Sequence, residues 1–170
     1  MAIESQPKWE AKVRKKLNKH KAEEVWPFLE DFCSFNKWLP SIDTCYKVEG
    51  VPGRPGLVRY CAATLPPPPP DGDGGGETIK WCHEKLLAID PIKKCLSYEV
   101  LDNNMGFQSY KSTMEVLPSM ESDDDQKGCL IEWSFLADPI EGLRFEDMVA
   151  YLDSSLQGMI DNIERALENK

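Results

Sequence analysis

The chain has no apolar run of membrane-spanning length, no apolar stretch near its start (MAIESQPKWE) fit for a secretion signal, and no Asn-x-Ser/Thr acceptor. A membrane-inserted or glycosylated secreted protein is therefore not expected. Positive charge is also short: 20 Lys and Arg against 29 Asp and Glu leave a net charge of −9. That balance repels phosphate backbones and anionic lipid surfaces, so nucleic acid is not expected as a partner. The one contrary stretch, KVRKKLNKHK from Lys12 to Lys21, reads as a solvated strand face and turn. Cysteine is present at Cys33, Cys45, Cys61, Cys82, Cys95 and Cys129, without a CxxC pair or the spacing of a disulfide framework, so these residues read as buried free thiols in a reducing, cytoplasmic compartment. GxSxG and HExxH are absent, and the two histidines, His20 and His83, are expected to face solvent. Cys82, His83 and Glu84 are consecutive in an expected strand, so His83 points away from the other two and they cannot converge on zinc. No metal or cofactor is expected.

What is present begins with periodicity. A chain of 170 residues fits one domain with one sizeable core. Trp9, Ala11, Val13 and Leu17 alternate with Lys8, Lys12, Arg14 and Lys16, as in a strand with one buried face. Lys21 to Leu39 carries Ala22, Val25, Trp26, Leu29 and Phe32 at helical spacing, with Pro27 expected to force a break or kink between two short helices. Six further strands follow, punctuated by VPGRPG, Asp90-Pro91, Asp102-Asn103-Asn104 and Pro118, with an acidic turn from Glu121 to Lys127. Residues 64–77, ending in PPPPPDGDGGGE, read as a mobile Pro/Gly flap. Phe145, Met148, Val149, Leu152, Leu156, Met159, Ile160, Ile163 and Leu167 recur at steps of three and four, defining one long amphipathic helix. Short connections pair neighbouring strands antiparallel. The expected fold is thus α+β, a curved seven-stranded meander gripping its C-terminal helix around a hydrophobic cavity.

Alternation also sorts the polar residues by face. Arg59 falls in step with Leu57, Cys61 and Ala63; Glu84 with Cys82 and Leu86; Tyr110 with Met114 and Val116. An inward Arg59 requires a partner, because a buried unpaired charge costs about 3 to 5 kcal/mol, and Glu84 can supply it. A bulge in either strand would instead turn these groups to water. Cys61, Cys82, Leu86, Tyr98, Met114, Trp133, Phe135, Leu152 and Met159 are candidate lining residues; plain core packing accounts equally well for their periodicity.

The ordered segments GLVRYC (56–61), EKLLAID (84–90), SYEVLDNNMGFQSYKSTMEV (97–116) and IEWSFLADPIEG (131–142) sharpen this reading. They resemble plant members of the START-like superfamily (polyketide cyclase/dehydrase and lipid transport, birch-pollen-allergen type), most closely its lachrymatory factor synthases. The resemblance implies a helix-grip fold and an isomerase that moves the hydroxyl proton of an alkenyl sulfenic acid to carbon, giving a thial S-oxide. It implies catalytic roles for Arg59 in Val-Arg-Tyr, Glu84 in Glu-Lys-Leu, and Tyr110 four residues before Met114. A non-catalytic carrier or sensor of a hydrophobic metabolite, lipid or hormone is the alternative, with the protein partner unspecified. Leu65-Pro66 and Tyr110-Lys111-Ser112 also resemble parts of the abscisic acid receptors. Asp43 before Thr44-Cys45, and Asn104-Met105-Gly106, stand where those receptors carry a lysine and a His-Arg-Leu latch.

Overall fold

Strand alternation and helical spacing both translate into elements. The computed structural model describes residues 7–65, 78–118 and 128–169. In chain order these form β1 (Trp9–Leu17), α1 (Ala22–Glu30), a 3-10 segment (Phe32–Lys37), β2 (Thr44–Glu49), β3 (Val58–Leu65), β4 (Thr78–Asp90), β5 (Cys95–Asn103), β6 (Tyr110–Pro118), β7 (Cys129–Ala137) and α2 (Phe145–Glu168). One seven-stranded sheet holds every strand in the order β1-β7-β6-β5-β4-β3-β2. From β2 to β7 it is an antiparallel meander, and β1 returns to pair with β7, leaving β1 and β2 at the edges. The expected flap lies outside the described residues from position 66 onward; Thr64 and Leu65 are the end of β3. The acidic turn from Glu121 to Lys127 lies outside them as well.

The inner face of the sheet is apolar because every second residue is. Cys129, Ile131, Trp133, Phe135 and Ala137 of β7 are buried, while Leu136 between them is exposed. Helix α2 covers this face with Met148, Leu152, Leu156, Met159, Ile160 and Ile163, which join Val13, Leu17, Val116 and Ile131 in one core. Each fully buried side chain of this size contributes about 1.5 to 3 kcal/mol. The basic stretch lies along β1, where Lys12 and Arg14 pair with Glu132 of β7 at 3.4 and 2.6 Å and Lys15 with Asp153 of α2 at 3.1 Å.

Two local expectations are corrected. The first helical piece runs through Pro27 and breaks at Asp31, which leaves the helical region at φ −79°, ψ 68°. Burial of Val25, Trp26 and Leu29 holds the turn around the proline, and the lost N–H removes a single helical bond. His20 is buried rather than solvent-facing, at 9% exposure, with its Nδ1 4.0 Å from Glu24. It sits in the turn between β1 and α1, where the sheet period no longer applies.

Helix α2 approaches the segment after the 3-10 turn closely. Asn162 donates to the carbonyl of Trp38 at 2.7 Å. A Cβ at Gly158 would overlap Pro40 Cγ and come within 3.0 Å of its Cδ. Gly158→Val should therefore overpack this crossing and cost about 2 kcal/mol or more. Gly158→Ala should cost less, because the gain of about 1 kcal/mol in helix propensity offsets part of the clash. Thermal melts of the two variants check this; a valine variant as stable as wild type would show that the helix does not rest on Pro40.

Candidate functional site

Register sets the site. The β3–β4 pairing runs without interruption from Val58 to Leu65 and places Arg59 directly opposite Glu84, and Cys61 opposite Cys82. Bulges in β4 occur only against β5, between Cys82 and Glu84 and between Leu86 and Ala88. They bend the strand around the helix without turning Glu84 outward.

Arg59 is 2% exposed and fully accounted for by its surroundings. Its Nε and Nη2 lie 2.8 and 2.7 Å from Glu84 Oε1, and its Nη1 donates to the Phe32 carbonyl at 2.6 Å. The guanidinium carbon stands 3.7 Å from the centroid of the Phe32 ring, 4.3 Å from Phe35 and 4.9 Å from Tyr98. Aromatic faces stabilise a desolvated cation, so the 3-10 segment serves to solvate this arginine in place of water. Burial by itself opposes the charge; the acidic groups Cys61, Glu84, Tyr98 and Cys45 outweigh it and push the guanidinium pKa further up. Glu84 keeps 12% of its side chain accessible. The Cys61 sulfur, 3.7 Å away, also falls on Oε1, so none of these contacts uses Oε2.

A cavity of about 560 Å³ opens beside this pair. Its walls come from the inner face of β3, β4 and β5, the segment Leu39–Ile42, the connections around Met105 and Ile140, and the first turns of α2 at Met148 and Leu152. Arg59, Glu84 and Tyr110 all line it, as do Cys61, Cys82, Tyr98, Trp133 and Leu152. Tyr110 stacks against Phe135 at 5.8 Å and tilts against Phe107 at 4.9 Å. Desolvation holds the phenols of Tyr98 and Tyr110 above the ordinary range, so both are neutral donors. Cys82 is likewise pushed up by burial and then by the nearby Glu84. Trp133 is satisfied through a chain: its Nε1–H donates to Ser112 Oγ at 2.7 Å, and that hydroxyl donates to the Ser134 carbonyl at 2.7 Å.

Four expected lining residues are not part of the wall. Leu86, Met114, Phe135 and Met159 are buried at 0 to 3% exposure in the solid core. Phe135 lies behind Tyr110, and Met159 is on the half of α2 that packs the filled end of the grip. Alternation gives the face of a residue but not its position along the strand, and the cavity occupies one end. Sequence reasoning also missed the role of Phe32, read only as part of a helical face, and missed Phe35, Lys80, Asp147 and Tyr151 altogether; the last three join the wall. Asp43 is not part of it: its carboxylate accepts from the Thr64 N–H at 2.7 Å and the Thr44 hydroxyl at 2.8 Å, hydrogen bonds that hold its pKa down.

A curved antiparallel sheet, two short helical pieces and a long terminal helix over a cavity define the helix-grip class. Residues 9–168 match the family described as polyketide cyclase / dehydrase and lipid transport, and the chain belongs to that family. Solved structures share the fold. The protein XoxI from Bacillus cereus is 21% identical, with 92% of this chain and 94% of that one covered at a TM-score of 0.66. An uncharacterized protein from Bacillus thuringiensis is 20% identical, covering 91% and 98%, at 0.67. Ginseng major latex-like protein 151 from Panax ginseng is 19% identical, covering 95% and 97%, at 0.61. Among the described residues no helix is long and apolar enough to cross a membrane.

The ion pair itself is testable. Glu84→Leu strands a fully buried guanidinium and should cost about 3 to 5 kcal/mol, a melting-temperature fall of about 6 °C or more at this chain length. Adding Arg59→Met should recover part of that loss, since a well-packed apolar replacement of both partners is close to neutral. A double variant less stable than Glu84→Leu alone would show that the arginine is held by its aromatic neighbours and not by the carboxylate.

Proposed function

We propose that the protein binds a small hydrophobic molecule carrying one hydroxyl-type donor, with the apolar body in the cavity and the donor on Glu84. The observation that supports this most is the pairing of a 560 Å³ space with one partly accessible carboxylate on its wall. Cavities of about 300 to 1,000 Å³ with few polar groups are typical of small-molecule sites. A ligand carboxylate is disfavoured beside Glu84, which presents like charge to it while Arg59 is already bonded to Glu84 and the Phe32 carbonyl. Binding of a fluorescent apolar probe reads this directly: wild type should bind it, and Ala63→Trp, which fills the cavity from a half-buried wall position, should abolish binding at an unchanged melting temperature. Equal binding by both proteins would place the probe elsewhere and sink the reading.

A second reading, isomerisation of the lachrymatory factor synthase type, is favoured by the disposition of Glu84. Its Oε2, unused by Arg59, would take the hydroxyl proton of an alkenyl sulfenic acid and return it to the carbon two atoms from sulfur, leaving a thial S-oxide. Tyr110, a neutral donor on the same cavity, would hydrogen-bond the oxygen as charge develops on it. Arg59 would act by holding Glu84 in place. Size argues for the first reading as the general one: a three-carbon sulfenic acid fills roughly 150 Å³ at about 30 Å³ per water-sized group, well under the available volume. Protein supplied with isoalliin and an alliinase should release thial S-oxide, and Glu84→Gln should lower the rate by about 100-fold or more while still binding the probe. No product beside a working positive control rejects this substrate and leaves the binding reading intact.

A further inference from the structure

The six cysteines are all free, and they are not equivalent. Cys45 on the edge strand β2 is the direct cross-strand partner of Cys61 on β3. Their sulfurs are 3.7 Å apart. Directly opposed residues of an antiparallel pair have Cα atoms about 4.5 to 5.5 Å apart, inside the range of about 4.4 to 6.8 Å that a disulfide spans. Bond formation thus needs the sulfurs to close by about 1.7 Å, within the reach of side-chain rotation.

We propose that Cys45 and Cys61 are an oxidative modification site at which a hydroperoxide converts the two thiols to a disulfide, stapling β2 to β3 beside Glu84. The surroundings divide the labour between the two sulfurs. Cys45 is half-buried and lies against the Phe32 carbonyl at 3.9 Å, while Cys61 is buried in the cavity wall. The groups facing Cys45 are Cys33 from the 3-10 segment, Cys61 and Arg59 from β3, and Glu84 from β4. Of these the Cys61 S–H, donated to Cys45, holds the Cys45 thiol below its ordinary range; burial opposes this and Arg59 assists it. Cys61, as the donor, is pushed up in turn, and burial raises it further. The remaining four, Cys33, Cys82, Cys95 and Cys129, are all raised, chiefly by desolvation. Cys45, on the edge strand, is the more accessible of the two sulfurs and Cys61 is buried behind it; the thiolate is the reacting form and needs access to its oxidant, so Cys45 is the nucleophile and Cys61 the resolving thiol.

The step balances. The Cys45 thiolate attacks one peroxide oxygen and the O–O bond breaks. An alcohol or water leaves with a proton, and Cys45 becomes a sulfenic acid. The Cys61 sulfur then attacks the Cys45 sulfur, the S–S bond forms, the S–O bond breaks, and water departs with the Cys61 proton. Two thiols and one hydroperoxide give one disulfide, one alcohol (or water) and one water. This site rests on the thiol geometry and stands apart from the ligand reading above.

Full-length protein treated with hydrogen peroxide, denatured, alkylated and mapped by mass spectrometry tests it. A Cys45–Cys61 linked peptide is expected as the first product, with the other four cysteines still alkylated. Cys61→Ser should leave a Cys45 sulfenic acid that dimedone traps. Cys45→Ser should slow oxidation of Cys61 by at least about tenfold, the loss of its thiolate partner. Oxidation spread evenly over the six, a Cys61–Cys82 link, or intermolecular disulfides in the wild-type protein would overturn the proposal, as would no reaction at peroxide levels that oxidise free cysteine.

Discussion

A fully buried arginine dictates much of the architecture around it. Arg59 sits on the inner face of the sheet, buried to 2% exposure, so its charge must be met by protein groups. The carboxylate comes from the strand paired with it, through a register in which Arg59 and Glu84 are direct neighbours. Much of the remaining stabilisation comes from outside the sheet: the Phe32 carbonyl and the rings of Phe32 and Phe35 belong to the 3-10 segment, with the Tyr98 ring of β5 adding a third face. That segment has little hydrogen bonding of its own beyond short turns, and Phe32 and Phe35 anchor it in the core while facing the guanidinium. The pair therefore couples β3, β4 and the 3-10 segment into one unit, to which β2 is attached through Cys45 and its contact with Phe32.

The cavity follows from side-chain size along the same strands. At the end where it opens, the inner faces of β3 and β4 carry Cys61, Ala63 and Cys82. At the other end the sheet and helix meet through Leu86, Leu96, Met114, Ile131, Leu156 and Ile163, all at 0 to 1% exposure. A close-packed interior leaves no voids where large side chains interdigitate. Space persists where the strands offer small ones and the first turns of α2 stand away from them. The grip is thus half core and half pocket, and the boundary falls near Trp133, which lines the cavity while its indole N–H is held by Ser112.

Most of this frame was legible in the chain. Strict alternation in β1, β6 and β7 and the three-four spacing of α2 survive because each element buries one face, and in those elements pattern and packing agree. The inward set Arg59, Glu84 and Tyr110 was readable from the same alternation, and an apolar face with one arginine in step demanded a partner. What could not be read is depth. Met114 and Tyr110 share a strand face, yet one is core and the other cavity wall. The aromatic cage of Arg59 was also hidden, since Phe32 and Phe35 have a spacing that suits any amphipathic turn, and only the tertiary fold brings them over β3. His20 and the break at Asp31 were misread for a related reason: both lie in connections, where neither period of two nor of 3.6 applies.

The arrangement of charge also limits what the cavity can hold. Among its wall residues the guanidinium is the deepest cation, but two of its nitrogens are committed to Glu84 and a third to the Phe32 carbonyl. An anionic ligand reaching for Arg59 would have to break one of those bonds and meet the Glu84 charge first, and breaking a buried charged pair is costly. A ligand that donates a hydrogen bond meets no such obstacle, because Glu84 retains accessible surface and an oxygen that Arg59 does not use. The buried arginine is thus best understood as the fixed counter-charge that lets a carboxylate face an apolar space. On the proposed reading, the chemical preference of the cavity follows from that carboxylate.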